Sequence, residues 1–208
     1  MFEISKIIST FEILTNSEAD KYLQEGLGHK GETGELFVVA GPNGSGKSTL
    51  IANMFKNNQL SSHKYVNADI FAKTMFKDVL SDKERNMQAM YYTMGLFKEL
   101  AKTNQAVIYE TVLSHPSKLE LIELYKKQGY KVVSVFISPK DFKVNIQRVA
   151  KRVQEGGHDV PEDKIEKRFK RSHSLKEALE KLSDEYYEID NTILPKIVYQ
   201  KNNGIEKM

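Results

Sequence analysis

Short apolar runs alternate with longer stretches of mixed polarity along most of the chain. Five of these runs are bounded by polar or turn residues, which is typical of strands. The predicted strands are residues 36–40, 65–68, 106–109, 131–137 and 196–199. The predicted helices between them are about 47–57, 82–103 and 117–128. Strands that alternate with helices of this length favour βαβ units on a parallel sheet.

The two ends of the chain add helical segments to this alternating pattern. Residues 1–35 are predicted to form an N-terminal helical extension. Residues 141–182 are predicted to hold a lid and the helix that follows it, with paired glycines as a hinge and Pro161 as a stop. No linker or internal repeat divides the chain, so residues 1–208 are predicted to form a single domain.

The composition supports an ordinary folded domain and excludes several classes of protein. The 208 residues are 40% hydrophobic and 28% charged, so the chain can bury a core without disulfides or a structural metal. The absence of cysteine excludes zinc fingers and thiol catalysis. No apolar run reaches the ~20 residues that span a bilayer, and the first residues lack the apolar stretch of a signal peptide. We therefore expect a cytoplasmic protein without a membrane partner, and the net charge of +3 is too small to favour nucleic acid.

A glycine-rich loop separates the first apolar run from the helix that follows it. Its sequence fits the phosphate-binding pattern G-x-x-x-x-G-K-[ST]. Such a loop wraps backbone N–H groups around nucleotide phosphates, while the N-terminal end of the helix points at them. In this pattern Lys47 reaches the β- and γ-phosphates, and the Ser48 hydroxyl coordinates Mg²⁺. The predicted cofactors are ATP and Mg²⁺, and the predicted nucleotide-binding residues are Gly41, Pro42, Asn43, Gly44, Ser45, Gly46, Lys47, Ser48 and Thr49.

Acidic residues follow two of the predicted strands. Asp69 comes directly after the strand at 65–68, and Glu110 follows the strand at 106–109. Because ligands of open α/β sheets bind at the carboxyl ends of the strands, both acids are expected near the phosphate-binding loop. Asp69 is a candidate base for a substrate hydroxyl, and Glu110 with Thr111 is a candidate to position substrate or metal-bound water. The alternative is that these acids only cap a helix or a loop.

Four of the five arginines lie within the predicted lid region. Arg148 and Arg152 are four residues apart, and Arg168 and Arg171 are three apart, so each pair is expected on one helix face. Guanidinium groups offer forked donors suited to phosphate oxygens, which predicts that these arginines stabilise a transferring phosphate. The alternative is that they only form a solvated helix face. His158 lies in the loop between the pairs and is a candidate contact to substrate, although a lone loop histidine is more often incidental.

Large apolar side chains repeat at helical spacing in the stretch 82–103. This spacing is more typical of a face that packs on the core than of a wall that binds a ligand. The residues of this predicted core stripe are Met87, Met90, Tyr91, Met94 and Phe97.

Five separated segments together resemble the zeta-toxin-like P-loop kinases. They occur in the order found in that family, and the resemblance covers about residues 36–195. The segments are Gly41 to Thr49, Asn67-Ala68-Asp69, Glu110-Thr111, Gly156-Gly157-His158-Asp159-Val160-Pro161 and Asp190-Asn191. Toxins of the family have one residue between the glutamate and the threonine, whereas the adjacent pair here is more similar to shorter stand-alone relatives.

The resemblance implies a function and a set of site residues. Members of the family are small-molecule kinases, and the studied toxins phosphorylate the 3′-hydroxyl of the sugar in UDP-N-acetylglucosamine. The family's catalytic base matches Asp69, its loop lysine and hydroxyl residue match Lys47 and Ser48, and its strand-end glutamate matches Glu110. Its phosphate-binding arginines match within the four lid arginines. The resemblance also implies an antitoxin protein as a partner to be tested.

We therefore predict a three-layer α/β P-loop fold with about five mostly parallel strands and a helical lid. The predicted function is that of an ATP- and Mg²⁺-dependent kinase that phosphorylates a hydroxyl of a small molecule, with a nucleotide sugar as first choice. One alternative is a kinase for another acceptor: a nucleotide, an antibiotic hydroxyl or a polynucleotide 5′ end. The other is an ATPase switch that transfers no phosphate to an acceptor and signals to a protein partner.

Overall fold

The structure is a computed structural model that describes residues 21, 34–60, 62–78, 81–157, 159–202 and 205–207. The predicted N-terminal extension falls almost entirely outside these residues, as does the candidate site residue His158. What the sequence predicts for these residues therefore remains a prediction.

The described residues form six helices and seven strands. The strands are β1 (Glu35–Ala40), β2 (Lys64–Val66), β3 (Val107–Thr111), β4 (Lys131–Ser138), β5 (Glu185–Asp190), β6 (Lys196–Asn202) and β7 (Ile205–Lys207). The helices are α1 (Lys47–Lys56), α2 (Ala68–Thr74), α3 (Asp82–Leu100), α4 (Ser117–Lys127), α5 (Phe142–Gln154) and α6 (Glu162–Leu182).

All seven strands belong to one mixed sheet of order β2-β3-β1-β4-β5-β6-β7. The first five in this order pair in parallel, and β6 and β7 add antiparallel pairings at one edge. Ala40 at the end of β1 lies opposite Thr111 of β3 and Phe136 of β4. The carboxyl ends of the central strands therefore meet at one edge of the sheet, where ligands bind in open α/β folds.

Helices cover both faces of the sheet, as predicted for a three-layer fold. Successive β1 residues alternate between the two hydrophobic cores: Phe37 and Val39 pack with α1, whereas Leu36 and Val38 pack with α3, α4 and α6. A strand buried on both faces reads as a continuous apolar run, which is why β1 is evident in the sequence. The P-loop α/β architecture predicted from the sequence is confirmed.

The sequence prediction missed one strand of the parallel sheet. β5 has the sequence Glu-Tyr-Tyr-Glu-Ile-Asp, in which acidic residues interrupt the apolar ones. Two tyrosines nevertheless bury their rings against the sheet, and the acids find partners: Glu185 is paired with Lys131 and Glu188 with Lys176. The apolar run at 196–199 is part of the antiparallel strand β6, which lies outside β5 in the sheet.

The predicted core stripe on α3 is wrong at three of its five positions. Met87, Met90 and Tyr91 are exposed by 44%, 42% and 65%, although Phe97 is buried. The side of α3 that packs inward instead carries Ala89, Thr93, Phe97 and Leu100. Both stripes have helical spacing, and the small side chains of the inward one carry a weaker hydrophobic signal than the methionines beside them.

Two helices, α5 and α6, occupy the region predicted to be the lid, and they share a small core. Val149 of α5 packs against Val160, which precedes α6, and against Ile165 of α6. Asp141 begins α5 as its N-cap, because its carboxylate accepts a hydrogen bond of 2.9 Å from the Lys143 N–H. The lid therefore has packing of its own.

No helix in the part of the chain that the structure describes is both long enough and apolar enough to cross a membrane. The longest of them, α6, has 21 residues and carries charged side chains along its whole length.

Candidate active site

The glycine-rich loop connects the buried end of β1 to the first turn of α1. Gly46 has φ +96°, a backbone conformation that favours glycine, and a Cβ placed there would lie 2.6 Å from Asn191 Nδ2. That amide nitrogen donates a 2.9 Å hydrogen bond to the Ser45 carbonyl oxygen. Asn191, directly after β5, therefore holds the loop at the point where its backbone turns into the helix.

The lid contacts the other half of the loop at Asn43. Asn145 of α5 is fully buried and donates from Nδ2 to the Asn43 carbonyl oxygen at 2.6 Å. The Asn43 side-chain oxygen accepts a hydrogen bond of 3.1 Å from the Arg168 guanidinium. Both lid helices thus donate hydrogen bonds to the loop.

Lys47 is buried within this loop. Its ammonium donates a 2.9 Å hydrogen bond to the Pro42 carbonyl oxygen. Burial lowers the pKa of Lys47 from 10.5 to about 8; the negative charges of Glu110 and Asp69 oppose this change, and the positive charges of two lid arginines add to it. A buried ammonium with two further cations nearby is an arrangement that suits a bound polyphosphate.

One hydroxyl of the loop also lacks a partner. Ser45 Oγ is buried and has no hydrogen-bond partner among the residues that the structure describes. Buried hydroxyls are nearly always hydrogen-bonded in folded proteins, so an unpaired one calls for a ligand or a water. The loop therefore fits the phosphates of a nucleotide.

The Ser48 hydroxyl and the Glu110 carboxylate meet across the sheet edge. Ser48 Oγ donates to Glu110 Oε1 at 2.8 Å. Glu110 comes near the end of β3, where it lies opposite Val39 of β1, so the parallel register brings it beside the loop. Two side-chain oxygen atoms this close together suit Mg²⁺, which prefers oxygen ligands and is usually bound by few protein groups.

Asp69 is exposed in the first turn of α2, on the same edge of the sheet. Asn67 is the N-cap of this helix, because its side-chain oxygen accepts from the N–H groups of Asp69 and Ile70 at 2.8 and 3.3 Å. A short strand followed at once by a capped helix places the carboxylate just beyond the carboxyl end of β2.

The four lid arginines have different positions. Arg152 and Arg168 are half-buried and lie close enough to Lys47 to act on its charge. Arg148 is also half-buried and donates at 3.3 Å to the carbonyl oxygen of Thr192, in the loop after β5. Arg171 is exposed on α6. The structure thus brings Arg152 and Arg168 together at the phosphate loop, while Arg148 lies against the neighbouring loop and Arg171 lies on the surface.

Two other predicted residues have backbone contacts. Thr111 is buried, its carbonyl oxygen accepts the Gly41 N–H at 3.2 Å, and its hydroxyl accepts the Leu113 N–H at 3.1 Å. Thr49 lies in the first turn of α1, where its carbonyl oxygen accepts from the Asn53 amide. Thr111 therefore ties the end of β3 to the start of the phosphate loop.

Sequence reasoning assigned no site role to three residues that shape this site. Tyr65, Asn145 and Asn191 all contact the loop or its carboxylate partner, yet none belongs to a local motif of phosphate binding. Asn191 was part of the family resemblance, which was the one signal that could have identified it.

A family comparison accounts for most of this architecture. The family model described as an AAA domain matches residues 36–175, which is more than half of the chain. The chain belongs to the AAA_33 family of AAA domains. The matched AAA domain begins in β1 and ends in α6, so it includes the phosphate loop, both strand-end acids and the four lid arginines.

One curated protein and two solved structures are also similar to this chain. An uncharacterized protein of Haemophilus influenzae is 28% identical over 135 residues, which are 65% of this chain and 92% of that protein. The crystal structure of AvrRxo1-ORF1:-ORF2 with ATP has a TM-score of 0.68 at 16% identity, covering 92% of this chain and 68% of that one. The PezAT chromosomal toxin-antitoxin system of Streptococcus pneumoniae has a TM-score of 0.64 at 17% identity, covering 90% and 81%.

These two solved structures share the fold of this AAA domain. The resemblance to the zeta-toxin-like P-loop kinases, drawn above from five short segments, is confirmed at the level of the fold.

Proposed function

We propose that this protein is an ATP- and Mg²⁺-dependent kinase that transfers the γ-phosphate to a hydroxyl of a small molecule. The first-choice acceptor is a nucleotide sugar such as UDP-N-acetylglucosamine, which the family resemblance suggests. The fold shared with the PezAT system extends the proposal to a protein partner of the antitoxin type.

One observation carries the proposal: acids and arginines of separate elements all act on the buried ammonium of Lys47. Glu110 comes from β3, Asp69 from α2, Arg152 from α5 and Arg168 from α6. Phosphoryl transfer depends on positioning and on neutralising the phosphate charge far more than on covalent chemistry. Lys47 and two arginines that come together at the phosphate loop, with a carboxylate on the same edge of the sheet, match that requirement.

Each group has a part in the proposed transfer. Asp69, exposed beyond the end of β2, accepts the proton of the acceptor hydroxyl as the hydroxyl oxygen attacks the γ-phosphorus. The bond from the γ-phosphorus to the β,γ-bridging oxygen breaks, and ADP leaves. Lys47 and the two lid arginines stabilise the charge on the phosphate oxygens during transfer. Mg²⁺, held by the Ser48 and Glu110 oxygens, would supply further charge neutralisation when bound.

The test is transfer of labelled phosphate from ATP to a panel of acceptors by the purified protein. The panel contains UDP-N-acetylglucosamine, a nucleoside, an aminoglycoside and an oligonucleotide with a 5′-hydroxyl. Asp69→Asn should bind ATP as the parent does but lower kcat by about 10²–10⁴-fold, as expected for loss of a general base. Asp82→Asn is the matched control, because Asp82 is also an exposed acid in the first turn of a helix.

The outcomes separate the candidate functions. Phosphate on one acceptor, lost in Asp69→Asn and kept in Asp82→Asn, supports the proposal and names the acceptor class. The ATPase switch would be favoured by a different result. In that case the protein releases free phosphate, no acceptor changes the rate of release, and a protein partner raises it. Transfer at the parent rate by Asp69→Asn would show that the base is a different residue.

A further inference from the structure

The Glu110 carboxylate accepts hydrogen bonds from three side chains. Oε1 accepts the Ser48 hydroxyl at 2.8 Å. Oε2 accepts the Tyr65 hydroxyl at 2.5 Å and the Asn67 amide at 3.2 Å. Tyr65 belongs to β2 and Asn67 follows that strand. Neither residue has a role in the transfer described above.

The same two residues connect Glu110 to the helix that carries Asp69. Asn67 Nδ2 donates to Tyr65 Oη at 2.7 Å. At its other end, the Asn67 side-chain oxygen accepts the Asp69 N–H at 2.8 Å. One continuous chain of hydrogen bonds therefore runs from the backbone of Asp69, through Asn67 and Tyr65, to Glu110 and the Ser48 hydroxyl.

Tyr65 is suited to be a permanent donor in this chain. Its side chain is fully buried, with its ring packed edge-on against Phe55 at 6.2 Å between centroids. Its hydroxyl donates to Glu110 Oε2 and accepts from the Asn67 amide, so it is held on both sides within the site. A rigid donor and the Asn67 amide together occupy Oε2, which leaves Oε1 directed at Ser48.

We propose that Tyr65 and Asn67 are positioning residues that hold the Glu110 carboxylate against Ser48 and keep Asp69 at a set distance from it. The proposal rests on the proposed kinase function, in which Ser48 and Glu110 hold Mg²⁺ and Asp69 is the base. Small displacements of such groups are costly, because transfer requires the acceptor and the phosphate in near-attack geometry. The Tyr65 hydroxyl thus links Glu110, on the side proposed to hold Mg²⁺, to the helix that carries Asp69, on the side proposed to bind the acceptor.

The first test is Tyr65→Phe, which removes the hydroxyl and keeps the ring. We expect the Mg²⁺ concentration that gives half-maximal tightening of nucleotide binding to rise about tenfold, the loss typical of a hydrogen bond to a charged group. The measurement is the binding of a fluorescent ATP analogue at increasing Mg²⁺, so it requires no phosphate transfer. The kcat for any acceptor should fall as well.

Tyr125→Phe is the matched control. Tyr125 is equally buried, and its variant loses the hydrogen bond of 2.8 Å to the Phe97 carbonyl oxygen, but it belongs to the core on the other face of the sheet. The proposal is supported if both variants lose thermal stability but only Tyr65→Phe changes the Mg²⁺ dependence of nucleotide binding. Equal Mg²⁺ dependence in the two variants overturns it.

Asn67→Ser tests the second residue without removing the helix cap. Serine is also a good N-cap, but it has no amide to donate to Tyr65 and Glu110. We expect Asn67→Ser to retain the thermal stability of the parent and to show the same rise in Mg²⁺ requirement as Tyr65→Phe. Unchanged Mg²⁺ dependence in Asn67→Ser refutes the role of Asn67.

Failure of the inference and failure of the proposed function give different results. If the parent binds the analogue in a Mg²⁺-dependent way but phosphorylates no acceptor, the kinase proposal fails and the binding comparison still decides the role of Tyr65. If the parent is a kinase and Tyr65→Phe matches it in both Mg²⁺ dependence and kcat, only the positioning role is refuted.

Discussion

Nucleotide binding should be accompanied by proton uptake at Lys47. The pKa of this lysine is lowered to about 8 because its ammonium is buried. The negative phosphates of a bound nucleotide supply the missing counter-charge and raise the pKa again. At pH 8 the free protein therefore holds the proton on about half of its molecules, and binding restores it on nearly all of them.

The size of this uptake follows from the pKa. If the bound lysine stays protonated, binding takes up about 0.1 proton at pH 7, about 0.5 at pH 8 and about 0.9 at pH 9. Because protons are taken up on binding, affinity should fall as pH rises through 8, approaching tenfold per unit above it. The measurement is isothermal titration calorimetry with an ATP analogue in pairs of buffers that differ in ionisation enthalpy.

Lys47→Arg provides the control. Arginine keeps its positive charge at every working pH, so binding to this variant should take up no proton at this position. Equal uptake by the parent and Lys47→Arg, or no uptake by the parent between pH 7 and 9 with binding intact, would refute the assignment of the proton to Lys47.

The same pKa also makes the free protein's stability depend on pH. The difference between 10.5 and about 8 corresponds to on the order of 3 kcal/mol against the charged form in the folded state. Between these pH values the unfolded chain binds more protons, so stability rises with pH; below pH 8 the full cost is present. Lys47→Met should therefore exceed the parent in free energy of unfolding at pH 7, and the excess should shrink towards pH 10. Denaturant titrations that show a constant difference across this range would contradict the pKa.

Two further predictions concern the loop and the lid. Gly46→Ala should weaken nucleotide binding more than tenfold, because the added methyl group is strained at a positive φ and also meets Asn191 Nδ2. Gly129→Ala is the control, because Gly129 has φ +84° but no atom within 4 Å of the added methyl group. This variant should bind nucleotide normally in the same titration. Arg168→Ala should lower kcat by about 10²-fold or more, as for loss of a charge-stabilising group, while Arg171→Ala should keep the parent rate because Arg171 is exposed. Equal losses in the two arginine variants would place Arg171 in the site.

Features that depend on residues adjacent in sequence could be predicted from the sequence. The phosphate loop lies between a doubly buried strand and a helix, and these three signals are contiguous at residues 36–56. Strand β5 and the inward side of α3 could not be predicted in this way. Glutamates of β5 are neutralised by lysines from other elements, and the inward side of α3 uses Ala89 and Thr93, whose small size is favourable only against a close neighbour.

The primary structure alone was enough to predict a P-loop α/β protein and its candidate lysine, acids and arginines, because each belongs to a short pattern with a known physical meaning. Which of these groups act together depends on the strand order β2-β3-β1 and on the packing of the lid, since both bring distant segments to one edge. Asn145 and Asn191 reach the loop across 102 and 146 positions of sequence, so no local pattern could identify them. The choice of Arg168 over Arg171 has the same origin, because α6 carries both. Arg168 is half-buried and contacts Asn43, whereas Arg171 is exposed.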